Sequence, residues 1–421
     1  MDLLASRRGR ALLLALLYFA EGAPIGWLWW ALPTRLRAAG APLDEVTALT
    51  AALAVPWACK FLWAPLVDGL RGARWGLRSW AIAAQFGMAI TLLAVLAGAD
   101  LSQPATLAPL LLAHAILAAT QDVAVDGIAV RVLPPAERGA ANGWMQVGML
   151  AGRGLFGGLA LRAESWIGFD GVVIALAVCA LLPAAVLMLA AREPEAARAE
   201  ILEGSTPGAR FRVLAALLWN LVRSRRTLAA AAFALFAGAG FESVGGTAGS
   251  LLVDLGLTKE AVGDFYALPV IVAMAVGALG GGFLADRLER RRACASALLL
   301  VAAAVALLSG AILAGARGGA VLALLAVVYL TLGFLTTASY ALFMDLTDPR
   351  AGATEFSAFM GLTNLCESWS VFAAGRIASR LGPDPTPHSY AVSWLALAGL
   401  SLLGLAALPW VRRRTSHGPA P

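Results

Sequence analysis

Long apolar stretches separated by short polar segments dominate this chain of 421 residues. Each stretch is about 20 residues long, the length that a helix needs to cross the roughly 30 Å hydrocarbon layer of a bilayer. This pattern predicts an all-α membrane protein with twelve transmembrane helices, six on each side of a polar region. The predicted spans are roughly 11–34, 45–67, 79–98, 105–130, 140–161, 168–190, 227–252, 260–285, 293–314, 319–344, 352–375 and 389–411.

The polar region between the two sets of helices contains Glu-Pro-Glu, Gly-Ser-Thr-Pro and several arginines, a composition typical of a connection rather than of a span. We therefore predict an N-terminal six-helix half over 1–191, a cytoplasmic linker over 192–226 and a C-terminal six-helix half over 227–421. Basic residues concentrate in the loops on the side that carries both termini. By the positive-inside rule, both termini are expected in the cytoplasm.

Composition narrows the classes of function. The chain is 60% apolar and 14% charged, a composition typical of a membrane protein. Its net charge is +6, and the basic residues lie in short clusters between the spans rather than on one face of a soluble domain. Its four cysteines are scattered singly, and no Walker loop, zinc-binding histidine pair or nucleophile elbow is present. We expect no enzyme activity, no cofactor and no metal. The expected partners are a lipid bilayer, a small-molecule solute and protons but no nucleic acid, and the chain is expected to be a monomer.

The two halves repeat each other weakly. Asp68 follows the second predicted helix of the first half, and Asp286 follows the corresponding helix about half a chain later. Asp126 and Asp345 form a second matched pair, each at the end of the fourth helix of its half. A carboxylate at a helix end can bond to arginines across the interface in one state and release them in another. The predicted cytoplasmic gating motif is Asp68, Arg71, Asp126, Arg131, Asp286, Arg287, Arg290 and Asp345; the alternative is that these loops carry only topology signals.

Three segments carry a resemblance to a known family. They are Lys60-Phe-Leu-Trp-Ala-Pro-Leu-Val-Asp68, Thr120-Gln-Asp-Val-Ala-Val-Asp126-Gly and Leu133-Pro-Pro-Ala-Glu-Arg138-Gly139. They resemble the AmpG and acetyl-CoA transporter branch of the major facilitator superfamily, which also contains siderophore importers. The resemblance covers the first half closely, and the second half matches the general fold. It implies two pseudo-symmetric halves in a bacterial inner membrane and a large polar solute: a muropeptide, a CoA thioester or a ferric siderophore.

Several ionisable residues fall inside the predicted spans, where each costs about 2.5–3.5 kcal/mol on insertion scales and usually faces a cavity. Glu21 lies midway along the first helix beside Gly22 and Pro24, which loosen the helix. We expect it to carry a coupling proton or, alternatively, to pair permanently with Lys60. Glu242, in a glycine-rich part of the seventh helix, is its counterpart in the second half.

Arg153 lies near the middle of the fifth helix, where it can clamp a carboxylate or phosphate of the solute. The alternative is an internal ion pair with Asp122 or Glu367. Glu367 itself is either a proton site or a partner for a cation. The full set assigned to a substrate and proton cavity is Glu21, Lys60, Gln121, Asp122, Arg153, Glu242, Asn364 and Glu367.

Three further features have structural interpretations. Trp27, Trp29 and Trp30 fall near the outer end of the first helix, which favours an interfacial aromatic belt over stacking on a ligand. His114 is a single histidine in a helix bundle, and a hydrogen-bonded structural role is favoured. Glycines over 148–158 and 277–282 indicate close helix crossings.

These observations predict a secondary active transporter that works by alternating access and is driven by protons. A muropeptide-like solute is favoured, with a siderophore or a CoA thioester as the alternative. A hypothesis of another class is a membrane receptor or scaffold that has kept the fold and lost transport. The buried charges distinguish the two, because a receptor would tolerate their replacement.

Overall fold

A computed structural model of the chain describes residues 3–69, 75–97, 104–133, 138–190, 224–346, 352–382 and 385–411. The described part is helical and forms twelve long segments that coincide with the predicted spans. They are α1 Arg7–Ala38, α2 Leu43–Leu62, α3 Leu77–Leu96, α4 Pro104–Val132, α5 138–167, α6 169–190, α7 Arg225–Asp254, α8 259–287, α9 Arg290–Leu313, α10 Gly319–Leu346, α11 Gly352–Arg380 and α12 Pro387–Trp410.

Among the described residues, ten continuous helical stretches are long and apolar enough to cross a membrane. One of them, Trp144–Ala190, has 47 residues, too many for one span. Gly168 interrupts it with a φ of +71°, a conformation that glycine adopts without a Cβ clash, and so separates α5 from α6. α11 is a further helix of 29 residues. The predicted linker over 192–226 lies outside the described residues as far as position 223.

Successive helices run in opposite directions, so each half has its loops at two ends. We call the end that holds Arg7 and Trp410 the terminal end, and the opposite end, where α1 closes on α2 and α7 on α8, the far end. Among the described residues, α2 packs on α11 and α5 packs on α8 along two seams between the halves, and α1 also contacts α7. In the first, Ser368 of α11 donates a hydrogen bond to the Ala51 carbonyl of α2 at 2.7 Å. In the second, Gly158 of α5 lies against the backbone of Ala267 in α8.

Glycines allow the closest helix contacts within each half. A Cβ on Gly148 or Gly152 of α5 would overlap backbone oxygens of α1, at Ala15 and Phe19. In the second half, Gly277 of α8 faces the backbone of α10 in the same way. Because lipid offers little hydrophobic drive for helix association, close backbone approach and dispersion stabilise such crossings. The predicted role of both glycine runs is confirmed.

In the described part of the chain, three helices each contain a π-helical turn in the half of the helix nearer the far end. The turns are Trp27–Ala31 in α1, Leu155–Leu159 in α5 and Tyr266–Val270 in α8. Such turns insert an extra residue and are frequent at functional sites. Here they lie where α1 and α5 of the first half meet α8 of the second. The half interface is therefore irregular there.

Candidate solute and proton sites

A cavity of about 170 Å³ lies between the two halves. Trp29, Trp30 and Arg153 line it from α1 and α5, and the remaining lining residues belong to α7, α8, α10 and α11. Four residues of the predicted cavity set are brought together in it: Arg153, Glu242, Asn364 and Glu367. On α7 and α10, the lining residues fall in the middle part of each helix, between positions 233 and 246 and between positions 329 and 343.

Arg153 has no internal salt bridge within the described part of the chain. No carboxylate oxygen there lies within 4.0 Å of its guanidinium group, and its Nε is buried without a hydrogen-bond partner. The guanidinium lies 5.7 Å from the ring centroid of Trp29, a cation–π contact. Asp122, one of the two predicted partners, is instead bound by Lys60. A half-buried cation with one weak aromatic partner can accept an anionic group from a solute.

Glu242 and Glu367 lie on the opposite side of the cavity, on α7 and α11. The charge of Arg153 acts on both carboxylates and also on Glu21. None of these three glutamates forms a salt bridge within 4.0 Å to a described residue. Arg153 therefore lies within electrostatic range of three carboxylates while remaining free to bind another group.

The other four predicted cavity residues do not line this cavity. Lys60 Nζ lies 2.5 Å from Asp122 Oδ2 and 3.8 Å from Asp126 Oδ2. The hydroxyl of Tyr18 donates to Asp126 Oδ1 at 2.5 Å. These side chains connect α1, α2 and α4 within the first half. We call Tyr18, Glu21, Lys60, Asp122 and Asp126 the N-half charge cluster.

Glu21, a member of this cluster, and Gln121, which precedes Asp122 in α4, each have a side-chain oxygen without a hydrogen-bond partner among the described residues. Glu21 is only 5% exposed, and its Oε2 is buried without a hydrogen-bond partner among the described residues. Gln121 donates to the Leu17 carbonyl at 3.4 Å, while its Oε1 is buried and unpartnered there. Lys60 bonds to the two aspartates, so the predicted permanent pair of Glu21 with Lys60 is absent from the described structure.

The tryptophans of α1 are buried, so the predicted interfacial belt is wrong. Trp27, Trp29 and Trp30 are 2%, 8% and 8% exposed. Trp30 stacks on Tyr266 of α8, with ring centroids 5.2 Å apart and planes 12° apart, and Tyr329 of α10 meets both rings edge-on. These three rings, the aromatic plug, lie between the cavity and the far end. The π turn of α1 contains all three tryptophans, and such a bulge changes which way side chains point.

Ion pairs join the two halves at the far end. Arg37 forms two hydrogen bonds, of 2.8 and 3.0 Å, with the carboxylate of Asp254. Lys259 lies 2.8 Å from Glu164, which also bonds to Arg35. Two further pairs are Arg162–Asp264 at 2.6 Å and Arg376–Asp44 at 3.6 Å. Together these far-end ion pairs close the bundle on that side.

The structure describes part of the predicted gating motif. Asp126 belongs to the N-half charge cluster. Arg290 lies 3.3 Å from Asp345, and both belong to the second half; Arg287 is exposed. Arg71 and the side chains of Asp68, Arg131 and Asp286 lie outside the described residues.

Sequence reasoning missed Tyr18, the aromatic plug and the far-end ion pairs. Tyr18 precedes Glu21 by nearly one helical turn, so its presence on the same face was available from helical spacing. Arg37 and Asp254 lie far apart in the sequence, and no spacing or motif in the sequence indicates that they pair. His114 is hydrogen-bonded to Thr91 at 3.1 Å and to the Met88 carbonyl at 3.2 Å, which confirms its structural role.

Comparison with known proteins places these features in a family. The chain matches the Major Facilitator Superfamily over residues 14–375. It is 31% identical over 191 residues to the anhydromuropeptide permease of Escherichia coli K12, a match that spans 44% of this chain and 38% of the permease. It is 25% identical over 419 residues to an uncharacterized protein of Haemophilus influenzae, covering 96% of this chain and 94% of that protein.

Solved structures agree on the fold. The nucleoside transporter NupG superposes with a TM-score of 0.71 at 13% identity, covering 96% of this chain and 100% of that one. A bacterial homolog of the lysosomal transporter Spinster, in an inward-facing unoccupied conformation, gives a TM-score of 0.70 at 17% identity over 98% and 99% of the two chains. The chain therefore belongs to the Major Facilitator Superfamily and is a multi-pass membrane transporter rather than an enzyme.

Proposed function

We propose that this protein imports a large polar solute by proton-coupled alternating access, and we favour a muropeptide-like solute. The observation that carries the proposal is the cavity between the halves, in which Arg153 faces Glu242 and Glu367 without pairing with either. A buried guanidinium group binds carboxylates or phosphates with strong, directional hydrogen bonds. The match of 191 residues, 44% of this chain, to an anhydromuropeptide permease supports the muropeptide choice.

Glu21 is our candidate for the coupling proton site. In the N-half charge cluster, three carboxylates face one ammonium group, so negative charge is in excess among these residues. Uncompensated charge at membrane depth is costly, and a proton on one carboxylate removes it. Lys60 holds the two aspartates, which leaves Glu21 as the group free to gain and lose a proton. Arg153 acts electrostatically on Glu21 as well as on the cavity carboxylates, and so connects the two sites.

The structure corresponds to one state of the cycle. The far-end ion pairs and the aromatic plug separate the cavity from the far end. We propose that the terminal end is cytoplasmic, from the distribution of basic residues, and that the membrane is a bacterial inner membrane. On that assignment this state is closed toward the outside, and opening it outward requires the far-end ion pairs to break.

Two alternatives remain as competing proposals. A siderophore or CoA-thioester carrier would use the same cavity and the same protons. A receptor or scaffold would use the fold without moving solute. Unpaired Arg153 favours transport over a scaffold role, because a group needed only for structure is normally satisfied inside the protein.

The test is uptake into proteoliposomes of a labelled anhydromuropeptide, a ferric siderophore and acetyl-CoA, each with and without an inward proton gradient. We expect gradient-stimulated uptake of the muropeptide, lost in Arg153→Gln and retained in Arg317→Gln, an exposed arginine outside the cavity. Gradient-stimulated uptake of the siderophore or of acetyl-CoA instead would identify that compound as the substrate in place of the muropeptide. Absence of uptake of all three by folded protein would favour the receptor hypothesis.

A further inference from the structure

The two sides of the central cavity have opposite hydrogen-bonding character. The first half contributes donors: the guanidinium group of Arg153 and the indole nitrogen of Trp29. Arg153 Nε and Trp29 Nε1 are both buried, and neither has a hydrogen-bond partner in the described part of the chain. The second half contributes the carboxylates of Glu242 and Glu367. Donors and acceptors thus line the same space from different halves without meeting.

The charges of the lining residues do not balance. Among them, Arg153 is the single cation, and it faces two carboxylates. Lys60 does not compensate, because it lies outside this cavity and is bound to Asp122 at 2.5 Å. A carboxylate left unpaired at membrane depth is costly, so a positive group of the solute bound there would be favoured.

We infer that the cavity selects an amphoteric solute, with a carboxylate or phosphate group bound at Arg153 and an ammonium group bound at Glu242 and Glu367. The inference rests on the proposed function and specifies the chemistry of its substrate. The surrounding rings fit the same ligand: Tyr329 and Tyr340 line the cavity beside the acidic residues, and aromatic faces attract ammonium groups. Asn364 adds an amide that can donate to or accept from a polar body.

Such a solute bridges the halves. Its anionic end contacts α5 of the first half, and its cationic end contacts α7 and α11 of the second. A solute with negative charge alone gains the contact to Arg153 but meets repulsion from the two carboxylates. A polyanionic CoA thioester is disfavoured on this ground, whereas a muropeptide whose peptide carries a free amine is favoured.

The experiment compares three forms of one labelled solute in proteoliposomes containing the full chain. The solute is an anhydromuropeptide whose peptide ends in diaminopimelate, used unmodified, with the amine acetylated, or with its carboxylates amidated. Each modification removes hydrogen bonds between a charged group of the solute and the cavity, and such bonds contribute strongly to binding. At subsaturating concentration we therefore expect the uptake of either modified form to be at least about tenfold lower. These comparisons in the unmodified protein do not depend on the folding of any variant.

Single-residue variants test which residues bind the ammonium end and the carboxylate end of the solute. Glu242→Gln and Glu367→Gln should each reduce the preference for the free amine, and Arg153→Gln should reduce the preference for the free carboxylates. Glu45→Gln, an exposed glutamate at the start of α2, should preserve both preferences. Gel filtration and thermal unfolding in detergent confirm that each variant is folded.

The outcomes separate the inference from the proposed function. Equal uptake of the free and acetylated forms refutes amphoteric recognition while leaving muropeptide transport intact. An unchanged amine preference in both glutamine variants refutes the assignment of the ammonium group to these residues. Failure of the folded protein to take up any of the three forms refutes the inference and the muropeptide proposal together.

Discussion

At the scale of single residues, Lys60 shows how a buried charge is kept in the first half. Its side chain is 12% exposed, and its ammonium group lies between two carboxylates of α4. Asp122 is 6% exposed, whereas 46% of the Asp126 side chain is accessible. Removing one partner of a buried pair leaves the other charge uncompensated, which costs more than the pair itself contributes. The three residues should therefore respond unequally to substitution.

We predict that Lys60→Met lowers the free energy of unfolding by on the order of 3–5 kcal/mol, because it leaves Asp122 buried without its cation. The double variant Lys60→Met with Asp122→Asn should recover part of that loss, since the uncompensated charge is then gone. Asp126→Asn should cost less than Asp122→Asn because Asp126 is more exposed. Unfolding of the purified protein in detergent measures these differences, and equal stability of Lys60→Met and the unsubstituted chain would contradict the prediction.

At the scale of helices, the sequence predicted most of what the structure contains. Apolar length located the spans, and glycine spacing located the close crossings, because both depend on local pattern. The tryptophans of α1 were placed wrongly because the π turn at Trp27–Ala31 reorients them, and no apolar pattern signals such a turn. Four of the eight residues in the predicted cavity set line the cavity. Depth in the sequence indicated which charged residues lie inside spans, but not which helices face one another.

The crossing of α1 and α5 gives a prediction at this scale. Gly152→Val places a side chain against the backbone of α1 at Phe19 and Gly22, where neither helix can move away without separating. We expect a large loss of folded protein. Gly310→Val in α9 is the matched control, because a Cβ there meets nothing within 4 Å. The fraction of protein that elutes as a single folded species from gel filtration reports both, and comparable yields would contradict the assigned role of this crossing.

At the scale of the whole molecule, the far-end ion pairs hold the two halves together on one side. Their partners are far apart in sequence: Arg37 and Asp254 lie in α1 and α7. Charged residues occur at the ends of many helices, so the sequence does not indicate which of them pair. The pairing becomes evident only from the packing of the helices. Closure by ion pairs is reversible, because their desolvation cost offsets much of their attraction.

We predict that Arg37→Gln shifts the population toward a state open at the far end. Positions 170 and 317 are exposed at the far end of opposite halves and can carry spin labels. Double electron–electron resonance should report a longer distance between the two labels in the variant. The native cysteines are replaced beforehand. Exchanging the charges, Arg37→Asp with Asp254→Arg, should restore the shorter distance. An unchanged distance distribution in Arg37→Gln would show that this pair does not control closure.

The central claim is that solute bound in the cavity moves together with a proton carried by Glu21. It is tested most directly by recording the pH inside proteoliposomes when anhydromuropeptide is added outside, alongside exchange of labelled for unlabelled solute. The account predicts internal acidification with the unsubstituted protein, and solute exchange without acidification in Glu21→Gln. Acidification of equal size in Glu21→Gln, with exchange intact, would contradict it and place the proton on another group.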